Sequence, residues 1–68
     1  MSPFKTEAYG SDRDAQTRLM QLGAVHKPEV STGSKWIYWS NKQKAWLTAE
    51  RRSGQFVINF YRQCPCSG

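Results

Sequence analysis

Residues 35–63 read KWIYWSNKQKAWLTAERRSGQFVINFYRQ, and this stretch decides the fold. Three runs rich in aromatic and β-branched residues, Lys35–Ser40, Ala45–Arg51 and Gln55–Gln63, are parted by Asn41-Lys42-Gln43-Lys44 and by Arg52-Ser53-Gly54. Both separators have hairpin length and turn composition, so the runs read as sequential antiparallel strands, a meander.

Side chains alternate across a strand, which divides each run into two sets. In the third run Phe56, Ile58 and Phe60 form a wholly apolar set, against Val57, Asn59 and Tyr61. In the second, Ala45, Leu47 and Ala49 stand against Trp46, Thr48 and Glu50; in the first, Ile37 and Trp39 stand against Trp36 and Tyr38. Matching apolar sets gives an expected core face of Ile37, Trp39, Leu47, Ala49, Phe56, Ile58 and Phe60. The expected opposite face carries Trp36, Tyr38, Trp46, Thr48, Asn59 and Tyr61.

Upstream lies one clear helix. Ser11 can cap its first free N–H groups, Asp12 and Asp14 suit the positive end of the helix dipole, and Ala15, Leu19 and Leu22 make one apolar stripe. Gly23 supplies the left-handed residue that ends it, giving a helix over about Asp12–Leu22. Pro28 and the run Ser31-Thr32-Gly33-Ser34 leave room only for a short edge strand around Val25–Val30. The expected fold is therefore α+β, one N-terminal helix packed on a three-stranded antiparallel β-meander. Residues 11–63 form the domain, 1–10 an N-terminal arm, flexible or docked through Phe4 and Tyr9, and 64–68 a disordered tail.

Size and charge narrow the function. A chain of 68 residues holds one small core and has little scaffold to wall off a catalytic pocket. No nucleophile, base and orienting group meet at a recognisable spacing, and His26 is the only imidazole, so no catalytic residue and no enzyme activity are expected. The ending Cys64-Pro65-Cys66-Ser67-Gly68 resembles the opening of the zinc-binding SEC-C motif, but two thiolates are half of a structural zinc set. We expect no metal and no cofactor. No apolar run is long enough to span a membrane, and no signal peptide opens the chain, so the expected location is cytoplasmic.

The net charge of +5 falls in the aromatic half. Residues 35–68 carry Lys35, Lys42, Lys44, Arg51, Arg52 and Arg62 against Glu50 alone, together with all three Trp. One helix covers one side of a sheet, which leaves Trp36, Tyr38, Trp46 and Tyr61 in need of another cover. The arm, another polypeptide and nucleic acid compete for that place. The charge favours nucleic acid, with bases on the four rings and phosphates on the six cations. The expectation is a non-enzymatic binding module for single-stranded nucleic acid, RNA before DNA. The alternative is a regulator or inhibitor, of the kind phages and mobile elements encode, that sets the same face against an acidic protein patch, as a monomer or a homodimer.

Overall fold

A computed structural model describes residues 2–31, 36–63 and Pro65. It is α+β with one helix and a five-stranded antiparallel sheet. The chain runs β1 (Lys5–Tyr9), α1 (Asp12–Gln21), β2 (Ala24–His26), β3 (Trp36–Ser40), β4 (Ala45–Arg52) and β5 (Gln55–Tyr61). The strand order across the sheet is β1-β5-β4-β3-β2. The expected meander forms its middle, and two further strands flank it. The tail with Cys64 and Cys66 lies outside the described residues, as do Met1 and residues 32–35.

Each boundary has a local cause. Ser11 sits in extended backbone and its Oγ accepts from the Asp14 N–H at 3.2 Å, starting α1 as its composition demands. Gly23, at φ +67°, reverses the chain and donates its N–H to the Met20 carbonyl at 3.0 Å. Ser53 and Gly54 both have positive φ, the requirement of the two-residue hairpin turn that joins Arg52 to Gln55. β2 stops at His26, and residues 27–31 turn instead, with the Val30 N–H on the Lys27 carbonyl at 3.2 Å. The edge strand expected around Val25–Val30 is thus shorter and begins one residue earlier.

Residues 5–9, expected as part of a separate arm, pair with β5 from Lys5↔Phe60 to Tyr9↔Phe56. This register turns Lys5, Glu7 and Tyr9 toward the helix. Glu7 meets Arg18 of α1 there, with Nε–Oε1 3.0 Å and Nη2–Oε2 3.2 Å. Inward charge on an edge strand also discourages pairing with other chains.

The core is one cluster: Ala15, Leu19 and Leu22 of the helix over Leu47, Ile58 and Phe60 of the sheet. Ser40, fully buried on the same side, ties the helix end to a turn. Its Oγ donates to the Leu22 carbonyl at 2.7 Å and accepts from the Gln43 N–H at 3.1 Å. Ser40→Ala strands both groups and is expected to cost about 1–2 kcal/mol. A lower urea midpoint at unchanged slope is the reading expected; an unchanged midpoint would show that the two bonds are dispensable.

The helix-side assignment of β3 needs correction. Ser40 stands opposite Ala45, Tyr38 opposite Leu47 and Trp36 opposite Ala49. Trp36 and Tyr38 therefore share the helix side, while Ile37 and Trp39 point away with Thr48 and Trp46. The cause is the Asn41–Lys44 loop. Four residues between facing strand ends pair even positions of β3 with odd positions of β4, and a one-residue slip exchanges the faces of the whole strand.

Candidate functional site

The four rings expected on one face lie on two. Trp46 and Tyr61 stand directly opposite each other on the helix-free face, and Trp39, opposite Trp46, completes a row across β3, β4 and β5. Trp39 meets Trp46 edge to face, with centroids 5.2 Å apart and planes at 61°. Both indoles are half-buried and Tyr61 is buried. Val25, 55% exposed, extends the row onto β2.

Beside that row runs a polar one. Thr6 donates to Asn59 Oδ1 at 2.9 Å, and Asn59 Nδ2 donates to Thr48 Oγ1 at 3.4 Å and to Glu50 Oε1 at 3.3 Å. Glu50 also takes Arg52 Nη2 at 3.1 Å. Every hydrogen-bonding atom of the Asn59 amide is engaged within the protein. This ladder stiffens the sheet and orients its neighbours.

The cations separate into groups. Lys42 and Lys44 sit in the β3–β4 turn and Arg62 follows Tyr61, so all three belong to one end of the sheet, but Lys42 runs past Gly23 to the end of α1 and Arg62 turns to Phe4, which packs on the core residue Phe60. Lys42 Nζ leans to the Gln21 carbonyl at 3.4 Å, Lys44 Nζ to Asn41 Oδ1 at 2.9 Å, and the Arg62 guanidinium covers the Phe4 ring at 5.1 Å. None of these contacts is an ion pair. Arg52 is on the same face but already bound to Glu50, the strand carboxylate there. Arg51 belongs to the other face, its guanidinium 4.9 Å from the centre of the Phe56 ring. Lys35 lies outside the described residues.

Trp36 and Tyr38 belong to a different place. They form one wall of a cavity of about 250 Å³ between α1 and the corner of β3 and β4, with Asp12, Gln16, Arg51 and Phe56 among its other lining. The helix stripe covers Leu47, Ile58 and Phe60 and leaves this corner open. Trp36 is 50% exposed and His26 packs beside both rings, 5.6 Å from Trp36 and 5.3 Å from Tyr38. Burial pushes the Tyr38 phenol up from its ordinary pKa, and the Asp12 charge adds to the rise. Asp12 and Tyr38 both line the cavity.

His26, the sole imidazole, is exposed, with Ser31 Oγ 3.2 Å from its Nε2. That hydroxyl also serves the Lys27 carbonyl at 2.8 Å and the Ile37 N–H at 2.9 Å, which makes it a loop clasp. Among the described residues no three His, Cys, Asp or Glu side chains converge as metal ligands. No helix among the described residues is long and apolar enough to cross a membrane. Comparison with protein-family models, characterised proteins and solved structures gave no match.

The sequence reading missed Trp39 as a surface ring and the cavity under Trp36. The signal for the first was present in the even length of the Asn41–Lys44 loop. The second depends on how far the helix reaches across the sheet, which no strand pattern reports.

Proposed function

We propose that the protein is a small non-enzymatic module that binds single-stranded nucleic acid, RNA before DNA, across its helix-free sheet face. The observation that carries this reading is the Trp39–Trp46–Tyr61 row, with Lys44 in the turn at its end and Lys42 and Arg62 at the same end of the sheet, held on the α1 end and on Phe4 until a strand draws them over. Antiparallel sheets with aromatic side chains receive splayed bases in this way, while cations at the border meet the phosphates. Glu50 does not oppose a polyanion strongly, because Arg52 already neutralises it. Trp36, Tyr38 and Arg51, first grouped with this surface, take no part in it.

The edge-to-face setting of Trp39 on Trp46 supports one rival. Such a pair offers less open ring than a stacking platform and suits an anchor on an acidic protein surface.

Titration of oligouridylate at several salt concentrations, followed by Trp emission and by calorimetry, separates the two. With three or four phosphates neutralised, log affinity falls against log salt with a slope of about −2 to −3. Trp46→Ala is expected to lose about 1–3 kcal/mol at every salt concentration, and Lys44→Ala to flatten the slope by about 0.7. Trp36→Ala weakens oligouridylate less than Trp46→Ala does. Binding that disappears by physiological salt with constant Trp emission would reject nucleic acid and favour the protein surface.

A further inference from the structure

The cavity beneath α1 joins features that the helix-free face does not use. Asp12 and Arg51 both line it, and among the described residues neither has an ion-pair partner, although they carry opposite charges. Among the described residues the Asp12 carboxylate accepts only the Gln16 amide, at 3.3 Å. The Arg51 guanidinium lies on the Phe56 ring, which holds it in place and leaves its N–H groups free to meet an anion. The rings of Trp36 and Tyr38 line the same cavity.

We propose that this cavity binds one guanine nucleotide, with the base against Trp36 and Tyr38, its N1–H and N2–H₂ donors on the Asp12 carboxylate and its phosphate on Arg51. The inference goes beyond binding on the helix-free face and stands without it. At about 250 Å³ the cavity falls under the usual range of about 300–1,000 Å³ for drug-sized ligands, so it takes one ring system and its sugar. The charges then select the ligand. A simple anion meets Asp12 and Glu50, the second already paired with Arg52, and a simple cation meets Arg51. A nucleotide carries its anion at one end and its base edge at the other.

Among the bases, guanine alone presents two adjacent N–H donors to a carboxylate. The Watson–Crick edges of adenine and cytosine each place a ring-nitrogen acceptor against it, and uracil sets one N–H between two carbonyl oxygens. Unpaired bases are read along this edge when they stack on protein rings. The net charge of +5 favours an anionic ligand over a zwitterion with the same two ends.

The test is calorimetric titration of the whole chain with GMP, AMP, CMP, UMP and, as the zwitterion control, L-tryptophan. GMP should bind tightest. Asp12→Asn keeps the side-chain shape but removes one acceptor and the charge, and should weaken GMP by about 5- to 150-fold while AMP is not weakened and gains where the new amide donates to its ring nitrogen. Arg51→Gln should weaken all four nucleotides alike and flatten their salt dependence. Trp36→Ala should weaken all four by about 5- to 150-fold, and Trp46→Ala none of them. Amide spectra of each variant show that the fold is kept.

A guanine-containing oligonucleotide set beside oligouridylate separates a guanine within a strand from the free nucleotide: a gain lost in Asp12→Asn supports the same site. Equal affinity for the four nucleotides, tighter binding of L-tryptophan, or an unchanged Asp12→Asn protein would overturn the proposal. So would GMP binding that Trp46→Ala removes and Trp36→Ala spares. Oligouridylate binding can survive any of these outcomes, so the failure of one site does not imitate the failure of the other.

Discussion

Phe60→Ala is expected to leave most of the protein unfolded at 25 °C. Phe60 is 2% exposed and sits on β5 opposite Leu47 of β4 and Lys5 of β1, under the helix side chains Ala15, Leu19 and Leu22. Truncating a buried Phe removes its transfer free energy and leaves a cavity, together about 3–5 kcal/mol. A domain of 68 residues has a total stability of only about 3–7 kcal/mol, so the loss takes most of it. Trp36→Ala is the matched control, because its ring is larger but half exposed on the open flank of the helix. It should cost less than about 1.5 kcal/mol, since only part of its area leaves water on folding. Far-UV circular dichroism in urea measures both. A Phe60→Ala protein with the parental midpoint would mean that β5 does not lie at the centre of the core.

The two substitutions also mark what was legible in the sequence. The Phe56-Ile58-Phe60 alternation and the Ala15-Leu19-Leu22 stripe each have one apolar side, and each faces the other as its pattern demands. β3 has no such asymmetry. Trp36, Ile37, Tyr38 and Trp39 are all large and largely apolar, so hydrophobicity alone leaves its two faces nearly equivalent. Geometry decides instead, because the four residues from Asn41 to Lys44 set Ser40 against Ala45. The loop length was in plain view, and counting it would have placed Trp39 beside Trp46. Where the two sides of a strand are chemically alike, the turn carries the information.

β1 was hidden for a different reason. The residues that it turns toward the helix are Lys5, Glu7 and Tyr9, not an apolar set, so no alternation announces a strand. Only a charged partner on a separate element makes that arrangement tolerable, and Arg18 lies 11 residues away. The candidate site follows the same division. Its aromatic and basic content was readable from composition, whereas its separation into a helix-free row and a cavity under α1 depended on register and on the reach of the helix.

Glu7 gives the second large effect, and it is a matter of pH. Its carboxylate accepts Arg18 through two hydrogen bonds, the Tyr9 hydroxyl at 2.5 Å and, at 3.2 Å, the ammonium of Lys5. The Arg18 guanidinium, above all, holds the Glu7 carboxyl down from 4.5 to about 2, against a smaller opposing effect of burial. Because the folded value is depressed, the stabilisation is complete above the unfolded value of 4.5 and is lost as pH falls through about 2. Arg18 retains 31% of its exposure and Lys5 53%, so solvent screens part of the attraction. The expected contribution at neutral pH is then about 2–3 kcal/mol. Glu7→Gln keeps the shape and removes the charge, and so reproduces the protonated state at every pH. Urea unfolding of parent and Glu7→Gln proteins at pH 7, 4.5, 3 and 2 should give a gap that is full at pH 7 and closes toward pH 2. Other carboxylates titrate equally in both proteins and cancel in the difference. A gap that stays constant down to pH 2 would show that Glu7 acts by packing rather than by charge, and no gap at all would mean that the Arg18 clasp does not hold β1 to the helix.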